Sequence, residues 1–271
     1  MILILRSMTF NLVHYLNLIG FMLVLSPLLL MPRKWAMWAM RSWAKSAEFW
    51  YQFITGVRVE IRGQEHLVHG PCIVASKHQS LWETYSLLYL FDDPAIILKS
   101  ELNWIPFFGW WSMKFRMVTV QRGGRSRAVR SLVKNARKRL AENRQILIFP
   151  EGTRRPPGAE PHYKRGVSAM YVELGVPCLP VALNSGLFWP RRKFFRYPGN
   201  LVLEILPPIE PGLERDEFAR ILQDRIEEAS DRLLLEAAES KTPPPFPEIA
   251  AKRLAALRAG NSISEPQATN R

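Results

Sequence analysis

The chain has 271 residues, of which 48% are hydrophobic, and a formal net charge of +13. This length allows one sizeable core plus an appendage, and the charge favours a partner with phosphate or acidic groups, either a nucleic acid or an anionic membrane. The two cysteines, Cys72 and Cys178, each begin an apolar run, and no CxxC or His/Cys cluster occurs. We therefore expect buried, unpaired thiols and exclude a disulfide framework and a zinc site.

Residues 1–54 predict two membrane-associating helices. Residues 7–32 carry no formal charge and residues 16–30 are almost entirely apolar, which is enough to span or deeply enter a bilayer, where about 20 apolar residues suffice. A cleaved signal peptide is the weaker alternative, because Arg6 is the only charge of its n-region and no Ala-x-Ala site closes the apolar run.

Pro32 suits the first position of a second helix. Residues 33–54 then mix tryptophan and phenylalanine with Lys and Arg, as a helix in the headgroup layer does, although packing on the soluble domain is the alternative. The excess of Lys and Arg after Pro32 predicts that this side faces the cytoplasm. We therefore expect a protein at the cytoplasmic face of the inner (plasma) membrane, with anionic membrane lipids as partners.

Residues 55–240 predict an α/β domain, because short apolar runs alternate with amphipathic segments. We expect a mixed, largely parallel sheet flanked by helices, joined to the two-helix N-terminal motif. The predicted strands lie at residues 57–61, 72–75, 95–99, 117–120, 145–149, 178–183 and 201–206. The predicted helices lie at residues 81–91, 126–143, 166–174 and 215–238. Residues 241–271 begin with a Pro-rich break and are expected to form a linker, an ancillary helix and a frayed tail.

A strongly basic segment, residues 114–139, contains ten Lys or Arg and no acid. Part of it predicts an amphipathic helix with an inward apolar stripe, formed by Val129, Leu132, Val133, Ala136 and Leu140. The basic face is either simply solvated or meets anionic lipid or an acidic carrier protein. Arg122 lies just past a predicted strand end, which makes it a candidate substrate ligand.

His78 and Glu83 lie between a predicted strand and a predicted helix. Histidine, whose ordinary pKa is about 6.5, takes and returns a proton near neutrality, and ligands of α/β sheets gather at the carboxyl ends of strands. We therefore expect His78 to be a catalytic base and Glu83 to orient it. A structural role competes for Glu83, because Ser80 and Glu83 also fit a capping box, but the two roles are compatible.

Lys99 ends another predicted strand and begins a segment that turns at Pro106 and Gly109. Its ammonium is a candidate phosphate ligand near the same edge of the sheet as His78. The aromatic residues of this segment either line an acyl or membrane-facing groove or pack as an ordinary loop. They are Trp104, Phe107, Phe108, Trp110 and Trp111.

A third strand runs into Phe-Pro-Glu-Gly-Thr-Arg at residues 149–154. Gly152 allows the backbone to approach a ligand closely, and the turn presents Thr153 and Arg154. The guanidinium of Arg154 suits a bidentate grip on phosphate. Glu151 is grouped with these candidate substrate-binding residues, and its expected contribution is to order the loop or a basic neighbour.

Several common catalytic motifs do not occur in the sequence: it has no G-x-S-x-G elbow, no P-loop and no G-x-G-x-x-G. A hydrolase with a serine nucleophile is therefore disfavoured. A histidine without an evident side-chain nucleophile indicates that the substrate's own hydroxyl is the nucleophile.

Four segments, in order, resemble the glycerolipid acyltransferase family, and within it the 1-acylglycerol-3-phosphate acyltransferases. Residues 78–83 resemble its H-x-x-x-x-D signature, residues 99–109 its second block, residues 149–154 its F-P-E-G-T-R block, and residues 176–181 its final V-P-[IV]-[IV]-P-V block. The departure is Glu83, which stands where the family pattern has Asp, so the charge is kept on a side chain one methylene longer.

The resemblance implies transfer of a fatty acyl group from acyl-CoA or acyl carrier protein to the sn-2 hydroxyl of lysophosphatidate, giving phosphatidate. On this hypothesis His78 deprotonates the hydroxyl, Glu83 steadies the imidazole, and the alkoxide attacks the thioester without an acyl-enzyme. Arg154 and Lys99, with Arg122, hold the phosphate, and backbone N–H groups near Gly152 stabilise the oxyanion. We expect neither a cofactor nor a metal.

Two alternatives stay open. One is an acyltransferase for another lysolipid, such as a lyso-aminolipid, and the other is a basic membrane-binding protein without catalysis. A nucleic-acid partner is disfavoured, because the aromatic residues cluster in membrane-like segments instead of interleaving with the central basic run.

Overall fold

The centre of the molecule is a mixed, mostly parallel sheet, seen in a computed structural model that describes residues 1–120 and 125–260. Within those residues the sheet has seven strands: β1 Val57–Arg62, β2 Ile73–Ser76, β3 Pro94–Lys99, β4 Val118–Val120, β5 Gln145–Ile148, β6 Cys178–Leu183 and β7 Gly199–Ile205. Their spatial order is β1-β7-β6-β2-β5-β3-β4. Only the β6–β7 pair among these strands is antiparallel. The predicted fold class is therefore confirmed.

Helices cover both faces of the sheet. In chain order they are α1 Ile2–Val24, α2 Arg33–Thr55, α3 Trp82–Leu90, α4 Phe108–Phe115, α5 Arg125–Leu140, α6 Gly166–Leu174, α7 Ser185–Phe188, α8 Arg215–Glu239 and α9 Glu248–Arg258. The four helices predicted in the α/β domain are present as α3, α5, α6 and α8, whereas α4 and the four-residue α7 were not predicted.

The central strands are buried on both sides, which explains their almost continuous apolar sequences. Val74, Leu147 and Leu179 face the cluster that contains α1, α2 and α3. Their chain neighbours Ile73 and Ile146 face the opposite cluster, which contains α5, α6 and α8. This alternation follows the two-residue period of a strand. It buries both faces of β2, which lies between β5 and β6 in the sheet.

The two cysteines lie where β2 begins and where β6 begins. Cys72 and Cys178 are both buried and both free thiols, as the sequence predicts. Burial raises the pKa of the Cys72 thiol to about 12, so it stays protonated and packs as a small apolar side chain.

The apolar run at residues 16–30 is divided between two elements. α1 begins at Ile2 and ends at Val24, and a 3-10 turn follows at Ser26–Leu29. Pro27 explains the break, because proline lacks an N–H and disfavours helical backbone in the residue before it. Pro32 precedes α2 instead of occupying its first position. In the described part of the chain, α1 is the one helix long and apolar enough to cross a membrane, by length and composition alone.

α2 packs on the domain with one face and exposes aromatic side chains on the other, so both alternatives for this helix hold in part. One face is buried against the domain, through Ala36, Met40, Ala44, Ala47 and Tyr51. The opposite face exposes large aromatic side chains to between 44% and 72%, namely Trp35, Trp38, Phe49 and Phe53. Such aromatic side chains are typical of the interface between a membrane and water. Beside the exposed apolar side chains of α1, they give the molecule a surface suited to membrane association.

The expected ancillary helix near the C-terminus is present as α9, and it packs on the domain. Ala250 and Leu254 of α9 are buried in the same cluster as α2 and α3. A Cβ on Gly158, whose φ is +74°, would lie 2.8 Å from Cβ of Arg253. α9 therefore covers the loop that follows β5, and the expected tail at residues 261–271 lies outside the described residues.

Candidate active site

His78 and Glu83 meet just beyond the carboxyl end of β2. Nδ1 of His78 lies 2.9 Å from Oε1 of Glu83, which is the second residue of α3. The His78 side chain is 13% exposed and the Glu83 side chain is fully buried. The imidazole also stacks on the ring of Phe149, with 4.0 Å between the ring centroids. With Nδ1–H donated to the carboxylate, Nε2 carries the lone pair that a general base needs.

The Glu83 carboxylate is held by four donors. Besides His78, its Oε1 accepts the backbone N–H groups of Gln79 at 2.7 Å and Ser80 at 2.6 Å. Its Oε2 accepts the hydroxyl of Ser185 at 2.8 Å. Because both oxygens are occupied, the carboxylate has one fixed position from which to orient the imidazole.

The capping interpretation of Ser80 and Glu83 holds in part. Glu83 folds back onto the N–H of Ser80, as a capping box requires. The Ser80 hydroxyl, however, accepts the N–H of Trp82 at 3.1 Å instead of that of Glu83, because α3 begins at Trp82, one residue later than predicted. The same carboxylate thus starts the helix and holds the histidine.

The sequence interpretation missed Ser185, although this residue completes the support of Glu83. It lies 102 positions from Glu83 and is the first residue of α7. The next residue, Gly186, donates its N–H to Oε1 of Gln79 at 3.1 Å, and a Cβ there would lie 2.9 Å from Cβ of Gln79. The short sequence Asn-Ser-Gly after an apolar strand was the available signal, but only the adjacency of β6 and β2 gives it meaning.

A second buried carboxylate holds the backbone of His78. Oε2 of Glu151 accepts the N–H of His78 at 3.0 Å, and Oε1 pairs with Nζ of Lys77 at 2.9 Å. Lys77 also reaches Oε1 of Glu227 at 2.6 Å, which accepts the hydroxyl of Tyr163. Burial opposes the charge on Lys77, but Glu227 and Glu151 outweigh it and hold the pKa of this ammonium above its ordinary value.

Glu151 contacts protein groups in this structure, and its direct contact with a substrate stays a prediction from the sequence. Its side chain is buried and both oxygens are taken by Lys77 and by the backbone of His78. Its contacts with the backbone of His78 and with Lys77 are those of a residue that orders a loop and a basic neighbour. The sequence analysis did not identify Lys77, because its partner Glu227 is 150 positions away in the sequence.

The turn after β5 lies against the histidine loop. The N–H of Gly152 itself is bonded to the carbonyl of Phe149 at 2.9 Å, and the expectation that backbone N–H groups near Gly152 stabilise the oxyanion stays a prediction. Gly152 has φ +66°, and a Cβ would lie 2.6 Å from Nζ of Lys164, which explains the glycine. Thr153 next to it is exposed.

Arg154 is half-buried beside the same loop. The next residue, Arg155, donates its N–H to the carbonyl of His78 at 2.8 Å, which ties the two loops together. Burial lowers the pKa of the Arg154 guanidinium, as does the charge of Arg191, and the Glu83 carboxylate acts in the opposite direction. A cation thus stands within electrostatic reach of the histidine–carboxylate pair.

The other candidate cations lie farther out or cannot be placed. Lys99 is exposed at the end of β3, and β5 separates that strand from β2. Arg122 lies outside the described residues. The aromatic segment divides between the two alternatives: Trp111 is buried beside Ala36 and Ala39, whereas Trp104 is 87% exposed and Trp110 is 50% exposed.

Comparison with known proteins identifies the family to which this chain belongs. Residues 58–184 match the model of the acyltransferase family. The chain is 35% identical over 187 residues to a 1-acyl-sn-glycerol-3-phosphate acyltransferase of Pseudomonas aeruginosa, covering 69% of this chain and 73% of that protein. The human enzyme named 1-acyl-sn-glycerol-3-phosphate acyltransferase alpha is 28% identical, and 65% of this chain matches 63% of its length. The chain belongs to the acyltransferase family.

A solved structure agrees with this assignment. The crystal structure of the 1-acyl-sn-glycerophosphate (LPA) acyltransferase PlsC from Thermotoga maritima superposes with a TM-score of 0.68 at 25% sequence identity. The match covers 85% of this chain and 95% of the Thermotoga chain.

Proposed function

We propose that this acyltransferase moves a fatty acyl group from acyl-CoA or acyl carrier protein to the sn-2 hydroxyl of lysophosphatidate, giving phosphatidate. The observation that carries the proposal is the 2.9 Å contact between Nδ1 of His78 and the buried Glu83, at the carboxyl ends of parallel strands. The names of the Pseudomonas, human and Thermotoga relatives support the choice of acceptor.

In the proposed reaction, Nε2 of His78 takes the proton of the acceptor hydroxyl as that oxygen attacks the thioester carbonyl. Glu83 fixes the ring and stabilises the imidazolium that forms. The tetrahedral intermediate expels the thiolate, which receives the proton from His78. The new ester bond replaces the thioester bond, no acyl-enzyme forms, and the reaction needs no cofactor beyond the acyl donor.

Arg154 is the proposed anchor for the acceptor phosphate, because the next residue, Arg155, bonds to the carbonyl of His78 at 2.8 Å and a guanidinium suits phosphate oxygens bidentately. Gly152 and Thr153 shape the same turn, and Lys99 is proposed as an outer cation at the neighbouring strand end. Arg122 is proposed as a further phosphate ligand on the basis of the sequence alone.

The exposed faces of α1 and α2 support a place at a membrane, where the lipid acceptor resides. We place the protein at the cytoplasmic face of the inner (plasma) membrane, because the aromatic face of α2 carries cations that anionic lipids attract. Lys34, for example, lies 6.0 Å from the ring centre of Trp35. Anionic membrane lipids are the proposed partners of this surface.

The test is acyl transfer from labelled acyl thioester to lysophosphatidate in membrane fractions, comparing wild type with His78→Ala. We expect a fall of about 10²–10⁴-fold in turnover, the usual contribution of a positioned general base. His69→Ala is the control, because the His69 side chain is 81% exposed and pairs with Asp92, which is itself exposed. Undiminished transfer by His78→Ala would refute the catalytic role.

A lyso-aminolipid acceptor is tested in the same assay by competition. At fixed acyl donor, lysophosphatidate should suppress acylation of a labelled lyso-aminolipid, and the reverse competition should be weak. Preferred acylation of the lyso-aminolipid would replace the proposed acceptor while leaving the chemistry of His78 in place.

A further inference from the structure

The segment after α7, residues 190–196, carries a dense group of cations that the proposed mechanism does not use. Its sequence is Pro-Arg-Arg-Lys-Phe-Phe-Arg, and residues 185–203 contain no Asp or Glu. The helix before it is anchored in the active site, because Ser185 bonds to Glu83 and Gly186 bonds to Gln79. The basic segment therefore begins two residues after the helix that supports the histidine–carboxylate pair.

The far end of the segment is anchored on α1. Arg196 donates its backbone N–H to Oγ of Ser7 at 3.0 Å, and Nδ2 of Asn11 donates to the carbonyl of Phe194 at 3.1 Å. The buried guanidinium of Arg196 lies 4.8 Å from the ring centre of Trp189 and donates to the carbonyls of residues 193–195. The exposed side chains between these anchors sit on a backbone that is already ordered, which lowers the entropic cost of binding a ligand.

The geometry brings the cations of this segment to Arg154. Nη1 of Arg191 donates to the backbone carbonyl of Arg154 at 2.9 Å. The charges of Arg191 and Arg192 both disfavour the charged form of Arg154, as neighbouring like charges do. Arg192 has φ +58°, a left-handed backbone that is uncommon for a residue other than glycine. A hydrogen bond thus holds the Arg191 guanidinium at the turn that carries Arg154, and Arg192 follows Arg191 directly in the chain.

The nearby anion, Glu83, acts on Arg154, but a single carboxylate cannot neutralise three guanidinium groups. A cluster of arginines with no acid in its own segment suits an external anion with several oxygens. We infer that Arg191 and Arg192, together with Arg154, bind the phosphomonoester of the lysolipid acceptor. This inference rests on the proposed function, because it takes the acceptor to be a lipid that enters beside α1.

The cluster makes the site specific for a phosphomonoester over a phosphodiester. A phosphomonoester carries a charge of about −1.5 to −2 near pH 7 and presents three acceptor oxygens. A lysolipid phosphodiester, such as lysophosphatidylglycerol, carries one negative charge and has one oxygen fewer for arginine to grip. Each additional arginine therefore favours the phosphomonoester more than the phosphodiester.

The experiment compares Arg191→Gln and Arg192→Gln with wild type and with Arg58→Gln, which removes an exposed arginine from the edge strand β1. In neutral detergent micelles, binding of lysophosphatidate and of lysophosphatidylglycerol is measured by calorimetry, and acylation of lysophosphatidate is measured in parallel. We expect Arg191→Gln to weaken binding of lysophosphatidate and raise its KM by about tenfold to a hundredfold, the range for one charge-assisted hydrogen-bonding group. The kcat and the KM of the acyl donor should change little.

Binding of lysophosphatidylglycerol should weaken less, so the preference for lysophosphatidate shrinks, and Arg191→Lys should recover part of it. Arg58→Gln should resemble wild type. Equal weakening of both lipids, with reduced binding to anionic vesicles, would overturn the inference and make the segment a membrane-attachment loop. An Arg191→Gln protein that behaves like Arg58→Gln would also overturn it.

The two failures are distinguishable. Wild type that binds lysophosphatidate through Arg191 but does not acylate it would end the proposed function and leave the anion site standing. If Arg191→Gln and Arg192→Gln acylate lysophosphatidate as well as wild type does, with the same KM, the inference ends and the proposed function stands.

Discussion

Two buried carboxylates flank His78 and hold different parts of it. Glu83 receives the imidazole Nδ1–H and is otherwise bonded to two backbone N–H groups and the Ser185 hydroxyl. Glu151 receives the backbone N–H of His78 and is paired with the ammonium of Lys77. Glu83 thus acts on the ring that reacts, whereas Glu151 acts on the chain that carries it.

The difference lies in the neutralising group. Glu151 has a permanent cation in Lys77, so its charge is balanced before any substrate arrives. Glu83 has hydrogen-bond donors and a histidine, so its charge is free to stabilise the imidazolium when the histidine takes a proton. Loss of Glu83 should therefore affect catalysis first, and loss of the Glu151 pair should affect folding first.

Glu83→Gln should separate the two roles most sharply. The amide keeps the residue type that a capping box accepts, so the free energy of unfolding should change by only about 1 kcal/mol. It cannot stabilise an imidazolium, so kcat should fall about 10²–10⁴-fold. Steady-state kinetics and urea unfolding measure both quantities, with the exposed Glu173→Gln as the control. Near-normal kcat would leave Glu83 as a helix cap alone.

Lys77→Met should have the opposite profile. It removes the cation between Glu151 and Glu227 and leaves two buried carboxylates unneutralised, which should cost about 3–5 kcal/mol in the free energy of unfolding. Urea unfolding checks this, and Lys252→Met is the matched control, because that lysine is 76% exposed on α9. A variant as stable as wild type would show that the buried network does not hold the His78 backbone.

The local part of this site was readable from the sequence, and the distant part was not. His78 and Glu83 are five positions apart on one strand-to-helix turn, and the strand positions followed from apolar runs. Ser185 reaches Glu83 from 102 positions away and Glu227 reaches Lys77 from 150 positions away, across a strand order that the sequence does not specify. The end of α1 was also not readable from hydropathy, because the apolar run continues to Leu30 whereas α1 ends at Val24, before Pro27.

Glu48 is a third buried carboxylate, and within residues 1–120 and 125–260 it is held by hydrogen bonds without an ion pair. It accepts Nε1 of Trp82 at 2.7 Å and the hydroxyl of Ser86 at 3.1 Å. Burial raises the pKa of Glu48 to about 7, against the lowering effect of hydrogen bonds from Trp82, Ser86 and Gln52.

Because the folded pKa lies above the unfolded one, the folded state binds the proton more tightly. The stability that Glu48 contributes is present below its unfolded pKa and is lost as pH rises towards 7. Glu48→Gln should remove this dependence, so the difference in unfolding free energy between pH 5 and pH 8 should change by up to about 3 kcal/mol relative to wild type. Chemical unfolding at the two pH values checks it, and equal pH dependence in both proteins would contradict it.

Ser185→Ala should have the smallest effect of the series. It removes one of the four donors to Glu83, so kcat should fall about tenfold while the KM of both substrates changes little. Ser185→Thr keeps the hydroxyl and should recover most of the activity, which a purely steric role for the side chain would not predict. If Ser185→Ala raises KM and leaves kcat unchanged, Ser185 does not act through Glu83.

The most direct test of the central claim is a double-mutant cycle on the single-turnover rate of acyl transfer. If Glu83 acts by holding and stabilising the imidazole of His78, the variant carrying both His78→Ala and Glu83→Gln should be no slower than His78→Ala alone. If the two losses multiply, Glu83 contributes to catalysis independently of His78, and the histidine–carboxylate account is contradicted.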